Sequence, residues 1–477
     1  MVTPPAAKPL AGIRVLDLTR FVSGAYCTMV LDALGADVIK VEGLPGGDPY
    51  RAQGAVQVGS LSGLFASLNT GKRSIAVDLR APDGTGLVRT LAQASDVFVE
   101  NARPGSLERA GLGPDRLHAL NPRLVYASIS GFGQAGPDAA RGGFDLILQA
   151  ASGIMAVTGN EAGGPVKVGA PVLDIGAGMS AATAIMAALF ARTADGLGRT
   201  VSSSLLEFAL SCFTSYAADI LETGTSPGLL GNDSPQFAPY GVFRCRDGSL
   251  ALAGAGSEPL WLKLCDVLGR PDWPADPRFA TNADRLRHRA ELTAEIERVL
   301  TRETAGHWQQ ALDGAGIPAS PVLPPAAALT SAQAEALQIR QAARTPDGYG
   351  YQTVRPPLSV ASYPDEPAGP AGPAGPSPAG LSAADSGPSA HGPAADSGPS
   401  AHGPAADDVG SANSGPSAAG PSATGVGPAN SGPSANGTLG YSRGAPALGE
   451  HTAEILREAG LDRADITDLA ARRVVAG

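Results

Sequence analysis

The sequence predicts an α/β protein with a parallel, doubly wound sheet, followed by a smaller α+β unit. Two observations predict it. Short apolar strands alternate with helical stretches through Ser130, and a long helical region later gives way to two strands joined by a tight turn. Ile13–Leu18 (IRVLDL) is the first strand, and Ser23-Gly24 then opens a helix that Gly35 ends. Val38–Glu42 and Ser74–Leu79 are the next strands, the second followed by a helix through Ala94. Asp96–Glu100 and Leu124–Ser130 complete the series, with a short helix over Pro114–Leu120 between them. Sheets of this kind bind ligands at the carboxyl ends of their strands.

Helical pattern dominates from Gly176 to about Thr223. Tyr240–Arg244 and Ser249–Ala253 then read as strands joined by Cys245–Gly248, with helices at Glu258–Leu268, Asn282–Leu300 and Thr304–Gly314. The expected organisation is a first domain over 8–225, a small α+β domain over 235–325, a return to the first domain over 326–365, and a tail over 440–477. Residues 366–439 separate that tail from the rest. This segment is built from Gly, Pro, Ala and Ser, has no aromatic, Lys or Arg, and repeats DSGPSAHGPAA in tandem from Asp385. Such a composition buries too little apolar surface to offset chain entropy, so disorder is expected. Gly-Pro-Ala triplets run only from Gly369 to Pro376, too briefly for collagen. Helices at Glu450–Gly460 and Asp465–Arg473 follow, which makes the segment an insertion within a domain.

Composition removes several functional classes. The net charge of −10 and an aromatic content of 5% disfavour nucleic-acid backbones and stacked bases as partners. The four cysteines, Cys27, Cys212, Cys245 and Cys265, form no CxxC pair and no zinc spacing, which fits a reducing compartment and no metal. His391 and His402 lie in the low-complexity tract, where no function is expected. The start, MVTPPAAKPLAG, lacks the apolar run of a signal peptide, and Ile175–Ala191 is broken by Gly176, Gly178, Ser180 and Thr183. A cytoplasmic location with no membrane partner is expected. The first βα turn carries neither GxGxxG nor a P-loop, which disfavours NAD and ATP.

Several stretches, in order, resemble the class III coenzyme A transferases, the CaiB/BaiF-type family that includes formyl-CoA transferase. They are LAGIRVLDLTR, LGADVIKVE, NTGKRSIAVDLR, DVFVENARPGSLERAGLG, NPRLVYASISGFG, GGFDLILQAASG, GAPVLDIGAGMSAATAIMAALFAR and LGEHTAEILREAG. The resemblance implies a Rossmann-like large domain completed by the C-terminal segment, a smaller α+β domain, and an interlocked ring-like homodimer. It implies transfer of coenzyme A from an acyl-CoA donor to a small carboxylic acid. Coenzyme A is then a substrate, and no cofactor is bound permanently.

The family's nucleophile falls on Asp174 in GAPVLDIGAG. The resemblance implies covalent catalysis through an aspartyl-CoA thioester. The residues alone place this carboxylate where a helix dipole and free N–H groups would stabilise the anion, and by themselves favour a simple N-cap, a preference the resemblance reverses. Asp145 in GGFDLILQ corresponds to an assisting carboxylate; alternatively it caps its own helix. The covering loop corresponds to Gly254-Ala255-Gly256-Ser257, making Gly254 and Gly256 catalytic candidates, although an ordinary turn reads the same way. The sister branch, alpha-methylacyl-CoA racemase, has a histidine where this chain has Phe144. Proton transfer at an α-carbon needs an ionisable pair, so Phe144 disfavours an acyl-CoA racemase or epimerase, the alternative activity. Val22 and Gly43 depart from the glutamine and arginine of formyl-CoA transferase.

For the cofactor pocket, the resemblance assigns Arg20, Phe21 and Ser23 to the pantetheine arm. It sets Val77, Arg80, Asn101, Ala102, Arg109 and Ala110 against the nucleotide. Arg80 and Arg109 suit phosphates, with Lys72-Arg73 as helpers, and each also reads as an ordinary surface charge. His451 reads as structural. Deleting Glu366–Leu439 and joining the ends with a short linker is expected to leave transferase activity intact, and a deletion variant that fails to fold in a circular-dichroism melt would contradict the insertion.

Overall fold

A computed structural model describes residues 8–253, 255–360 and 440–477. The low-complexity segment, its two histidines and Gly254 lie outside them. Six parallel strands build the main sheet: β1 (Arg14–Asp17), β2 (Asp37–Gly43), β3 (Arg73–Val77), β4 (Val97–Glu100), β5 (Val125–Ser130) and β6 (Thr200–Ser204). An antiparallel sheet follows from β7 (Gly241–Arg244), β8 (Ser249–Leu252) and β9 (Ala319–Pro321), then a hairpin of β10 (Arg340–Arg344) and β11 (Gly350–Val354). Finally β12 (Val475–Ala476) pairs antiparallel with β3, placing the last residues on the edge of the main sheet.

The main sheet has seven strands in the order β6-β5-β4-β1-β2-β3-β12. The chain winds outward from β1 in one direction, then restarts at β4 in the other. A crevice therefore opens above the carboxyl ends of β1 and β4.

Alternating side chains supply two cores. On one face Val15, Val38, Val97, Val99 and Val125 pack against helices α1 (Ser23–Ala33) and, later in the chain, the long helix Val172–Asp195. On the other face Leu16, Ile39, Ile75, Phe98 and Tyr126 meet α2 (Pro82–Gln93), α3 (Pro114–Leu120) and the C-terminal Ile455 and Leu456. Both faces are covered, which is why these strands read as nearly continuous apolar runs.

Three further helices complete the frame: α4 (Asp145–Ala151), α5 (Val172–Asp195) and α6 (Leu205–Ser211). The expected helical run from Gly176 to Thr223 is thus corrected, because β6 interrupts it. Thr-Val-Ser-Ser-Ser is too polar to read as a core strand; it is an edge strand, held by its ladder to β5. The helix expected over Asn282–Leu300 likewise breaks at His288. Helix α5 is apolar and long enough to cross a membrane, with a mean hydropathy of 1.6, but half of that window is buried in the protein.

A separate apolar cluster runs from Phe243 to Ile317, centred on Trp261 stacked against Trp273 at 5.9 Å. Arg285, fully buried, lies over Trp261 and donates to the carbonyls of Ala238, Phe279 and Gly256. It also pairs with Glu258 at 2.8 Å. These contacts tether the segment that carries Gly256.

Helices α1 and α5 touch backbone to backbone. A Cβ on Gly178 would stand 2.5 Å from the Ser23 carbonyl oxygen and 3.2 Å from the Cys27 nitrogen. Gly178→Val should therefore separate the two helices and cost about 1–3 kcal/mol or more, as overpacking does; a urea unfolding midpoint equal to wild type would show that the contact is soft.

Candidate active site

The turns after β1 and β4 form the floor of the crevice, and one side chain joins them. Asn101 accepts from the Arg20 backbone N–H at 2.9 Å and donates to the Arg20 carbonyl at 2.7 Å. Its amide thereby acts as a backbone mimic across the gap. Phe21, next in the chain, adopts φ +62°, a conformation that a bulky residue rarely takes. Its ring meets Tyr50 edge-on at 5.5 Å and Phe144 at 5.7 Å.

Ser23 begins α1, and its hydroxyl lies on the side of Asp174 on α5, close enough to favour that carboxylate's anion. Asp174 is the third residue of that helix, not its cap; the helix starts at Val172, earlier than the glycine-rich stretch suggested. Pro171 precedes it without an N–H. The amide of Val172 donates to Ala170 and that of Ile175 to Pro171, while Leu173 and Asp174 both donate to Asp145 Oδ2, at 2.8 and 3.4 Å. The expected set of free N–H groups for the Asp174 anion is therefore already occupied.

Asp145 takes the role of cap, but for α5. Its own helix α4 is preceded by Phe144 and has no side-chain cap. Fully buried Gln149, one turn on, donates to the other Asp145 oxygen and accepts from the Val168 N–H at 2.8 Å. Burial, with the nearby Asp145 charge, pushes Asp174 up to about 6, against the opposing pull of Ser23. The result is a carboxylate that is ionised near neutrality yet poorly stabilised, the condition of a good nucleophile.

The remaining predicted positions divide. Arg20, Arg80 and Arg109 are exposed, and among the described residues none of their guanidinium groups forms an ion pair. Ala102 donates its N–H to Glu100 at 2.6 Å. Ala110 ends the short helix Ser106–Arg109. Val77 has no exposed side chain, since it belongs to the core beneath β3. Lys72 and Arg73 are not available as helpers. Lys72 is buried against Asp17 at 3.1 Å, and Arg73 is engaged by Asp37, Glu454 and Glu458. Gly256 has no room for a side chain, because a Cβ would meet Phe237 at 2.7 Å. His451 accepts from the Ser74 N–H at 3.3 Å, a structural contact.

Three residues escaped the sequence reading. Tyr50 stands close enough to Asp174 for that charge, after burial, to raise its pKa. Gln149 orients Asp145, and its spacing one turn later was the available signal. Glu100 ends β4 beside the crevice, where burial first, and then Glu108, push it up to about 7. Among the described residues no cluster of His, Cys, Asp and Glu could hold a metal.

The profile of CoA-transferase family III matches residues 10–376. Succinyl-CoA:glutarate CoA-transferase of Mus musculus is 39% identical over 315 residues, 66% of this chain and 72% of that enzyme. Succinate–glutarate CoA-transferase of Agrobacterium fabrum is 36% identical over 372 residues, 76% of this chain and 92% of that enzyme. A CAIB/BAIF family protein from Brucella suis superposes with a TM-score of 0.72 at 29% identity, covering 95% of this chain and all of that one. With a mainly parallel sheet, a crevice at its switch point and these relatives, the chain belongs to CoA-transferase family III and is an acyl-CoA:carboxylate CoA-transferase.

Proposed function

We propose that this enzyme works through a covalent aspartyl-CoA thioester on Asp174. The single observation that carries the reading is the setting of that carboxylate: half-buried at the start of α5, beside Asp145, which takes the helix-end amides that would otherwise solvate it. In the reading, Asp174 attacks the thioester carbonyl of the donor. The C–S bond breaks, leaving a mixed anhydride and the CoA thiolate. The thiolate attacks the aspartyl carbonyl, which releases the first acid and forms the thioester. The acceptor carboxylate reverses both steps and regenerates Asp174. Bonds made and broken match in each half, so neither ATP nor a metal is needed.

The amides at the start of α5 are taken by Asp145, so the donors for the tetrahedral oxyanions come from elsewhere. The segment containing Gly254 and Gly256 is our candidate. The exposed arginines Arg80 and Arg109 would hold phosphates of coenzyme A, with Asn101 beside its nucleotide, and Arg20 and Phe21 would line its pantetheine arm. The relatives that act on succinyl-CoA and glutarate support a short dicarboxylic acyl group as the first donor to test. Exposed Phe190 and Leu221, at 80% and 83%, support a homodimer whose partner covers them. A cytoplasmic setting without a permanently bound cofactor fits this chemistry.

Incubation with succinyl-CoA should give a CoA adduct that maps to Asp174 by mass spectrometry and is removed by hydroxylamine or by the acceptor acid. Asp174→Ala should lose exchange by about a thousandfold or more, and an unchanged rate would refute the nucleophile. No solvent deuterium should enter the α-position of the acyl group. The wild-type rate should fall as pH drops through about 6, where Asp174 takes up its proton. A carboxyl whose pKa is raised on folding destabilises the fold above that pKa. Asp174→Asn should therefore melt higher than wild type at pH 8, with the gain shrinking as pH falls through 6 and gone near 4. Equal melting temperatures at pH 8 would contradict the strained carboxylate.

A further inference from the structure

We propose that Lys40, which no part of the reaction touches, is a positioning residue that clamps the two walls of the Asp174 pocket together. Lys40 lies on β2 with its side chain fully buried. Its ammonium donates to the Thr19 carbonyl at 2.9 Å and pairs with Asp48 at 3.0 Å. Thr19 opens the turn that carries Phe21 and Ser23. Asp48 caps the short 3-10 turn Pro49–Arg51, accepting from the Tyr50 N–H at 2.9 Å. One buried charge therefore holds both the segment that carries Ser23, whose carbonyl packs on α5 one turn from Asp174, and the segment that carries Tyr50. The Phe21–Tyr50 ring contact closes the same junction from the crevice side.

The turn needs such a hold. Phe21 adopts a left-handed conformation, φ +62°, that a bulky residue left unrestrained would relax. Asp17 restrains the near side of the turn by accepting from both the N–H and the hydroxyl of Thr19, and Lys72 neutralises Asp17. Lys40 restrains the far side, at the carbonyl. Burial opposes its charge, but Asp17, Asp48 and Glu42 more than offset this and keep it an ammonium.

The inference rests on Asp174 as nucleophile, and its readout is the acid limb of the kcat/KM profile. Among the described residues, Asp145 on α4 and Tyr50 are the titratable groups set against Asp174. Helix α1 contributes only the Ser23 hydroxyl, and α6 packs the Phe208 ring under Gly176. Losing or displacing the Ser23 hydroxyl should raise the pH at which Asp174 ionises, because that hydroxyl favours the anion. Three variants are compared with wild type: Ser23→Ala, Lys40→Met, and the double variant K40M/D48N. The double variant leaves no unpaired charge at the site, because Asp17 retains Lys72.

We expect S23A to move the acid limb up, by at most about one pH unit. K40M and K40M/D48N should move it in the same direction and lower kcat about tenfold. Adding S23A to K40M/D48N should produce no further shift. A folded K40M/D48N with the wild-type limb, while S23A shifts, would overturn the role of Lys40 and leave Asp174 standing. Failure of both Lys40 variants to fold would also overturn it, by assigning the pair to stability alone. Absence of the Asp174 adduct in wild type would instead remove the underlying mechanism.

Discussion

The candidate active site depends on how closely α1 and α5 approach. Gly178 allows the α5 backbone to lie on the Ser23 carbonyl, and no residue with a side chain could do so. That contact fixes the distance between the turn after β1 and the first turn of α5. Ser23 then reaches Asp174 as a geometric consequence. Gly176 makes a parallel concession on another face, where the Phe208 ring fills the space its side chain would need. The small residues of α5 are thus packing requirements of the site.

Asp145 and Asp174 show how two like carboxylates can divide one helix end. Asp145 takes the amide donors of α5, and Gln149 supports its second oxygen. Among the described residues, Asp174 is left with the Ser23 hydroxyl nearby and a neighbouring negative charge. An anion solvated by backbone amides would be stable and unreactive. One denied them keeps more of its intrinsic nucleophilicity. The partial burial that makes Asp174 costly to ionise is borne by the rest of the fold.

Much of this was legible in the sequence. The first five strands of the sheet are short apolar runs, and each lies within about two residues of where hydropathy places it. Asp174, Asp145, Phe21, Ser23 and Asn101 could be singled out because their motifs resemble a family. What they do locally could not. That Asp145 caps α5 and not α4 depends on contact between segments 28 residues apart. The strand Thr200–Ser204 was hidden because its partner β5 supplies the order that its own polar side chains do not. Lys72 and Arg73 looked like surface charges beside a cofactor. They are buried because Asp17 and the C-terminal carboxylates come back to meet them, and composition cannot report that.

The occupied amides at the start of α5 have a further consequence. Helix ends of this type commonly collect halide, nitrate or sulfate from solution. Here the side chain of Asp145 already fills that niche, and its charge repels any competitor. Simple inorganic anions therefore have no foothold beside Asp174, however concentrated the surrounding salt.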